Sequence, residues 1–297
     1  MMTVITSPNR RLALKTALVA PFLALGFLAA EPLVASADTI SSGGLVAHRA
    51  IYDLTLGKSS EKSGIATASG RLVFELEGDN CIGYTVNMRV VTRFSTATGR
   101  VNTIDTRSTS WEAPDGNTMR FGTKQYINSN LADDVQGKAQ KGADGTAGTA
   151  TFSKPDDQSF ELPARAVFPV EHTKRIVTAA REGTVMDRTV VFDGSELKKL
   201  YTAVSFIGKA KKTEDTTLPE TLTDKTMFDG QSAWPITVSY FDQDTADAGG
   251  EQVPSHEVSF TMFENGISTD LTLGYEHFSL TGSMTELTVF EPTECSE

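Results

Sequence analysis

The chain has 297 residues, with 27 Lys and Arg against 38 Asp and Glu and a formal net charge of −11. That balance repels nucleic acid and anionic lipid headgroups, but leaves basic proteins and apolar ligands in a cleft open as partners. Its two cysteines, Cys81 and Cys295, stand 214 residues apart, which excludes a CxxC redox centre.

The chain starts MMTVITSPNRRLALKTALVAPFLALGFLAAEPLVASADT. A basic flank (Arg10, Arg11, Lys15), an apolar run from Ala17 to Ala30 and the small residues Ala35-Ser36-Ala37 predict a signal peptide over 1–37, cleaved before Asp38. The run holds Pro21 and Gly26 and falls short of the ~20 residues of a membrane span. Glu31-Pro32 argues against a retained anchor, and no cysteine stands by the cleavage point to carry lipid. Residues 1–37 hold three basic residues and one acidic, so their removal leaves 24 against 37, near −13. Export to an oxidising compartment permits one intramolecular disulfide, Cys81–Cys295, with free thiols or an intermolecular bridge as the alternatives. Chain entropy credits such a long closed loop with roughly 5 kcal/mol.

Period-two patterning dominates the rest of the chain. AIYDLTL presents Tyr52, Leu54 and Leu56, and RLVFELE presents Leu72, Phe74 and Leu76. Ile82, Tyr84, Val86, Met88, Val90 and Phe94 share a face interrupted by Thr92, with Thr85, Asn87, Arg89 and Arg93 opposite. Such alternation predicts antiparallel strands with one face packed and one wet. Turn signals stand at Gly78-Asp79-Asn80 and Pro114-Asp115-Gly116-Asn117. DDVQGKAQKGADGTAG (133–148) is small and polar, a short outer strand or a connection with nothing of core in it.

PVEHTKRIVTAAREG breaks the pattern. Pro169 suits a first helical position, Glu171 the first turn, Arg181 the last turn, and Gly183 a stop. Val170, Thr173, Ile176, Val177 and Ala180 form a stripe at helical spacing, predicting a helix over 169–182 that covers a sheet. Alternation then resumes in KLYTAVSFIG, WPITVSYF, HEVSFTMF and STDLTLGY. Asp193-Gly194 and Glu264-Asn265-Gly266 are turns, an acidic stretch closing on Gly249-Gly250 is a loop, and Leu287, Val289 and Phe290 mark a terminal strand. About a dozen strands and one or two helices predict a single β-rich domain over 38–297, a barrel or an open spiral.

No catalytic constellation emerges. GxSxG and HExxH are absent, and GADGTAG lacks the lysine and order of a phosphate loop. The four histidines are His48, His172, His256 and His277. His256 and His277 could face each other on neighbouring strands, but nothing else supports a metal site. A protonated His172 would oppose the helix dipole, so a neutral, structural or ligand-orienting ring is expected. Apolar surface is the remaining resource: a ligand groove in a curved sheet, or a protein-binding patch carrying aromatics on connections such as Trp111 and Phe228.

The signal peptide, HRAIYDLTL, DNCIGYTVNMRV, FPVEHTKRIVTAAREG and the near-terminal cysteine together resemble the EipB family, periplasmic cell-envelope integrity proteins of alphaproteobacteria. The likeness spans roughly 45–296. It implies a mainly β fold, a large curled antiparallel sheet or β-spiral with helical segments against it, similar to periplasmic lipoprotein carriers. The cysteine pair Cys81 and Cys295 matches the family's disulfide, and Tyr52, Asp53, Pro169, His172 and Gly183 fall on its motif positions. The resemblance implies no enzymatic activity and a role in envelope integrity under stress; from motifs and charge, no cofactor, metal or nucleic acid is expected. A scaffold binding a periplasmic tetratricopeptide-repeat protein is the expected function. The alternative is a carrier or sensor holding a lipid or lipoprotein in an apolar groove.

Overall fold

A computed structural model describes residues 44–216, 218–220, 222, 225–243 and 252–291. All lie in one compact unit, Ser41–Glu297. The expected cleavage site, most of the acidic loop that closes on Gly249-Gly250, and Cys295 lie outside the described residues.

The elements run β1 (His48–Ser59), β2 (Ile65–Asp79), β3 (Gly83–Thr96), β4 (Val101–Glu112), β5 (Thr118–Ile127), β6 (Asn130–Gln140), β7 (Gly148–Lys154), β8 (Gln158–Leu162) and β9 (Ala166–Val167). Then come α1 (Pro169–Arg181), β10 (Met186–Val191), β11 (Tyr201–Ile207), β12 (Lys211–Lys212), β13 (Ser232–Asp242), β14 (His256–Phe263), β15 (Ser268–Tyr275) and β16 (Phe278–Val289). The sixteen described strands form one sheet, ordered β8-β7-β6-β5-β4-β3-β2-β1-β16-β15-β14-β13-β11-β10-β9, with β12 pairing β13 off this path. From β1 to β8 and from β13 to β16 sequence-adjacent strands pair as antiparallel neighbours, β8 and β9 end up at opposite ends of the order, and the early and late arms join where β1 pairs β16. Only β9 and β10 run parallel.

Side-chain alternation shows how the sheet curls. On β10, Val191 packs toward α1, with Val167, Ala203, Ile236 and Val238. Its neighbours Val190 and Phe192 point the other way and pack on Met119, Phe121, Val135 and Phe152 of β5–β7. The inner face of the first arm therefore lies on the outer face of the last strands, so the ends overlap as a spiral. Phe121, Phe152 and Phe192 meet edge to face, at centroid distances of 5.5 Å for Phe121–Phe152, 5.4 Å for Phe121–Phe192 and 6.4 Å for Phe152–Phe192. Each fully buried large side chain here stabilises by roughly 1.5–3 kcal/mol. At the Asp193-Gly194 turn, a Cβ on Gly194 would stand 2.4 Å from the Phe121 ring, and φ is +67°, so only glycine lets the overlap close.

The helix forms where expected and ends one residue earlier. It carries no side-chain N-cap on Phe168, and Pro169 opens it. Gly183 (φ +74°) closes it with two bonds, Gly183 N–H to the Ala180 carbonyl at 3.1 Å and Thr184 N–H to the Ala179 carbonyl at 2.9 Å. That is the left-handed stop a glycine supplies without a Cβ penalty.

Four expectations change. Of the polar stretch 133–148, the first half belongs to β6, which is no outer strand but lies between β5 and β7 with Val135 and Ala139 in the core, and the second half is the connection to β7. Ile82 stands in the turn before β3 and is 56% exposed. Trp111 lies within β4, on no connection. Phe228 is on a connecting turn but fully buried against Phe263, centroids 4.5 Å apart, so it forms no surface patch.

Candidate ligand chamber

The inner face of the curl is wider than its side chains fill. A chamber of about 630 Å³ opens between β1–β5, α1 and β13–β16, within the range of roughly 300–1,000 Å³ usual for small-molecule sites. Strand alternation builds its wall: even-numbered residues of β1–β3 face inward, so Tyr52, Leu72, Phe74, Met88 and Val90 line it together. Thr92, the apparent interruption in the β3 pattern, is buried on this same face. From the other side α1 presents His172, Thr173 and Ile176, so the covering helix is also part of the wall.

An aromatic band runs along one edge. His172 meets Tyr240 edge to face at 6.4 Å, and Tyr240 stacks on His256 at 4.5 Å. His256 pairs in register with Tyr275, which stacks on Phe278 at 4.8 Å, and Phe278 meets Phe94 at 5.6 Å. Separate elements supply these rings, so no local run of sequence announces the band.

No Asp, Glu, Lys or Arg lines the chamber among the described residues. Its ionisable groups are held neutral. Burial lowers His172 to about 4, with the Asp187 charge opposing and Arg175 assisting. Burial likewise lowers His48, whose Nδ1 donates to the Val46 carbonyl at 2.7 Å, leaving Nε2 with the lone pair. Tyr52 donates to the Ser268 carbonyl at 2.6 Å, and burial raises its pKa, so its hydroxyl stays protonated. Such a surface can sequester apolar groups with a few fixed hydrogen bonds. The His172 ring nitrogen lies 3.5 Å from Ser205 Oγ, long for activation of a nucleophile.

The motif positions separate. Tyr52 and His172 face the chamber, whereas Asp53 points outward in an ion pair with Arg71 at 2.8 Å. Pro169 begins the helix and Gly183 closes it, and neither is on the chamber wall. Cys81 is exposed in the β2–β3 turn, its N–H bonded to Asp79 Oδ1 at 2.6 Å, and is not a free thiol. Lys174 of α1 reaches Asn80 Oδ1 in the same turn at 2.8 Å. His256 and His277 do not face each other: His256 is in the aromatic band, and His277 pairs with Glu276 in the β15–β16 turn. No cluster of three or more His, Cys, Asp or Glu able to hold a metal ion occurs among the described residues.

Glu112 went unnoticed in the sequence. It is 2% exposed at the end of β4 and accepts the N–H groups of Val170 at 2.7 Å and Glu171 at 3.2 Å. It thus caps α1 from another element, which is why Phe168 needs no capping side chain. Burial raises Glu112 to about 7 against the two backbone bonds that favour its charge. Nothing distinguishes this glutamate from the other acidic residues in the linear chain.

Comparison with known proteins agrees with this architecture. Residues 39–291 match the family model described as EipB-like. The cell envelope integrity protein EipB of Brucella abortus (strain 2308) is 34% identical over 269 residues, covering 88% of this chain and 92% of that protein. A crystal structure of a β-barrel-like protein of a domain of unknown function, also from Brucella abortus, superposes with a TM-score of 0.75 at 31% identity, over 83% of this chain and 99% of that one. With a matching family model over most of its length and a full-length relative of this identity, the chain belongs to the EipB-like family.

Proposed function

We propose that this chain is a non-enzymatic periplasmic protein that supports cell-envelope integrity and holds the acyl portion of a lipid or lipoprotein in its chamber. Export with loss of residues 1–37 and a Cys81–Cys295 bond belong to the same reading. The single observation that carries it is a chamber of about 630 Å³ with no charged side chain on its wall among the described residues. Each methylene moved from water into such a wall gains about 0.8 kcal/mol, so an acyl chain is the natural tenant. The name of the Brucella relative, a cell envelope integrity protein, supports the setting.

A second reading, a scaffold for a protein such as a periplasmic tetratricopeptide-repeat partner, is favoured by one feature. Met186 and Phe206 pair directly across β10 and β11 and are 53% and 51% exposed, with Val185 beside them at 73%. Exposed apolar groups in contact with one another suit a protein partner. Native mass spectrometry of protein taken gently from its own periplasm separates the two. A one-to-one lipid adduct supports the carrier; a clean apo mass with a stable protein complex overturns it in favour of the scaffold.

A further inference from the structure

The outer face of the early strands carries a charge pattern opposite to that of the whole chain. Arg89 of β3 stands directly opposite Arg107 of β4, and Arg107 directly opposite Lys124 of β5. Like charges paired across strands cost stability, a cost that Asp105 offsets by pairing with both arginines. With Arg49 and Arg120 these side chains border an open hollow of about 720 Å³, in which Glu75 is the one acidic lining residue among those described. Asp105 adjoins it and accepts from both Arg89 (2.9 Å) and Arg107 (2.7 Å), and Asp134 lies 3.9 Å from Lys124. Counting these neighbours, cations still exceed carboxylates in a chain whose net charge is −11.

The floor has its own chemistry. Gly122 stands in register between Thr109 and Gln136, and its missing side chain opens the hollow. Thr109 donates to Asn87 Oδ1 at 2.8 Å, holding the amide among further hydroxyls. Trp111 borders the hollow, and the Arg120 guanidinium lies over one face of its ring, 5.3 Å from the centroid, so that a ligand meets the ring edge and the guanidinium together. An aromatic ring packs against the C–H face of a pyranose ring, amides and hydroxyls match sugar hydroxyls, and guanidinium forks match phosphate or carboxylate. At about 720 Å³ the hollow falls within the roughly 300–1,000 Å³ usual for small-molecule sites.

We infer that the outer face of β3–β5 is a second binding site, separate from the chamber, for an anionic saccharide of two or three rings bearing phosphate or carboxylate. The aromatic and amide groups read the sugar, and the arginine row reads its charge.

Calorimetry on the mature chain tests this with glucosamine disaccharide 1,4′-bisphosphate and with trigalacturonate, against cellotriose, hexaglutamate and inorganic phosphate. At least one anionic saccharide is expected to bind one to one, more weakly as salt rises, and which one binds separates phosphate from carboxylate. Arg107→Gln and Arg120→Gln should each weaken it about tenfold, while Arg188→Gln on β10 should leave it unchanged. Where Arg107→Gln lowers the melting temperature, Lys124→Gln replaces it, since that side chain is 43% exposed. Absence of saccharide binding, equal affinity for hexaglutamate or inorganic phosphate, or indifference to the arginine substitutions overturns the site.

Discussion

The carboxylate of Glu112 accepts the backbone N–H of Val170 at 2.7 Å, joining the end of β4 to the first turn of α1 across 58 positions of sequence. The second oxygen takes Glu171 N–H at 3.2 Å, so two of the helix's unsatisfied donors depend on a residue from another element. Because α1 forms part of the chamber wall, this bond also fixes the wall.

Removing that carboxylate should be costly. Glu112→Ala leaves the buried Val170 N–H and the partly buried Glu171 N–H without this partner and is expected to lower stability by about 1–3 kcal/mol, read by urea unfolding. Glu112→Gln keeps one acceptor and should cost less. The pH dependence has a definite sign. The folded-state pKa, about 7, lies above the reference 4.5. The group's contribution is therefore fully present below about pH 4.5 and is lost as pH rises through about 7. Glu112→Gln should remove that part of the stability slope; an unchanged slope contradicts the assignment.

His172 should act in the opposite direction. Its folded-state pKa, about 4, lies below the reference 6.5. Its contribution is present above about pH 6.5 and disappears as pH falls through about 4. NMR titration of the ring should show it neutral at pH 5.5, and His172→Gln should flatten the acid limb of the stability curve. A ring that protonates near pH 6.5 would mean that the chamber wall is wet.

Filling the chamber should block it without unfolding the protein. Val258 projects inward from β14 and lines the open space. Val258→Trp is expected to weaken binding of a fluorescent fatty acid such as cis-parinaric acid about tenfold, with the melting temperature nearly unchanged. Equal binding by the filled variant would place the apolar ligand elsewhere.

The cysteine proposal has a covalent readout. Non-reducing peptide mapping of the exported protein should recover the Cys81 peptide joined to that of Cys295. Cys295→Ser should lower stability by about 2–5 kcal/mol. Quantitative alkylation of both thiols in the native protein would refute the bond.

Much of the fold was readable because a strand writes its two faces alternately into the chain. Tyr52, Leu54, Leu72, Phe74, Met88 and Val90 reveal their common face at once, and Pro169 and Gly183 bracket the helix. The place of β6 inside the sheet was not legible because its inward residues are small: Ala139 is buried and Gly137 packs under Phe121, whose ring would lie 2.6 Å from a Cβ on Gly137. Composition leaves such a segment open between a short outer strand and a connection.

A sheet-rich chain with a helix over 169–182, one residue longer than α1, is legible in the linear order of residues, since hydrophobic period and caps are local properties. The overlap of the sheet ends as a spiral is not, because Val190, Val191 and Phe192 are all buried and alternation cannot say against which layer. Nor does the linear order reveal an uncharged chamber inside and a cationic row outside. Both are formed by side chains from separate strands, whose meeting depends on register and curvature and on nothing local to any of them.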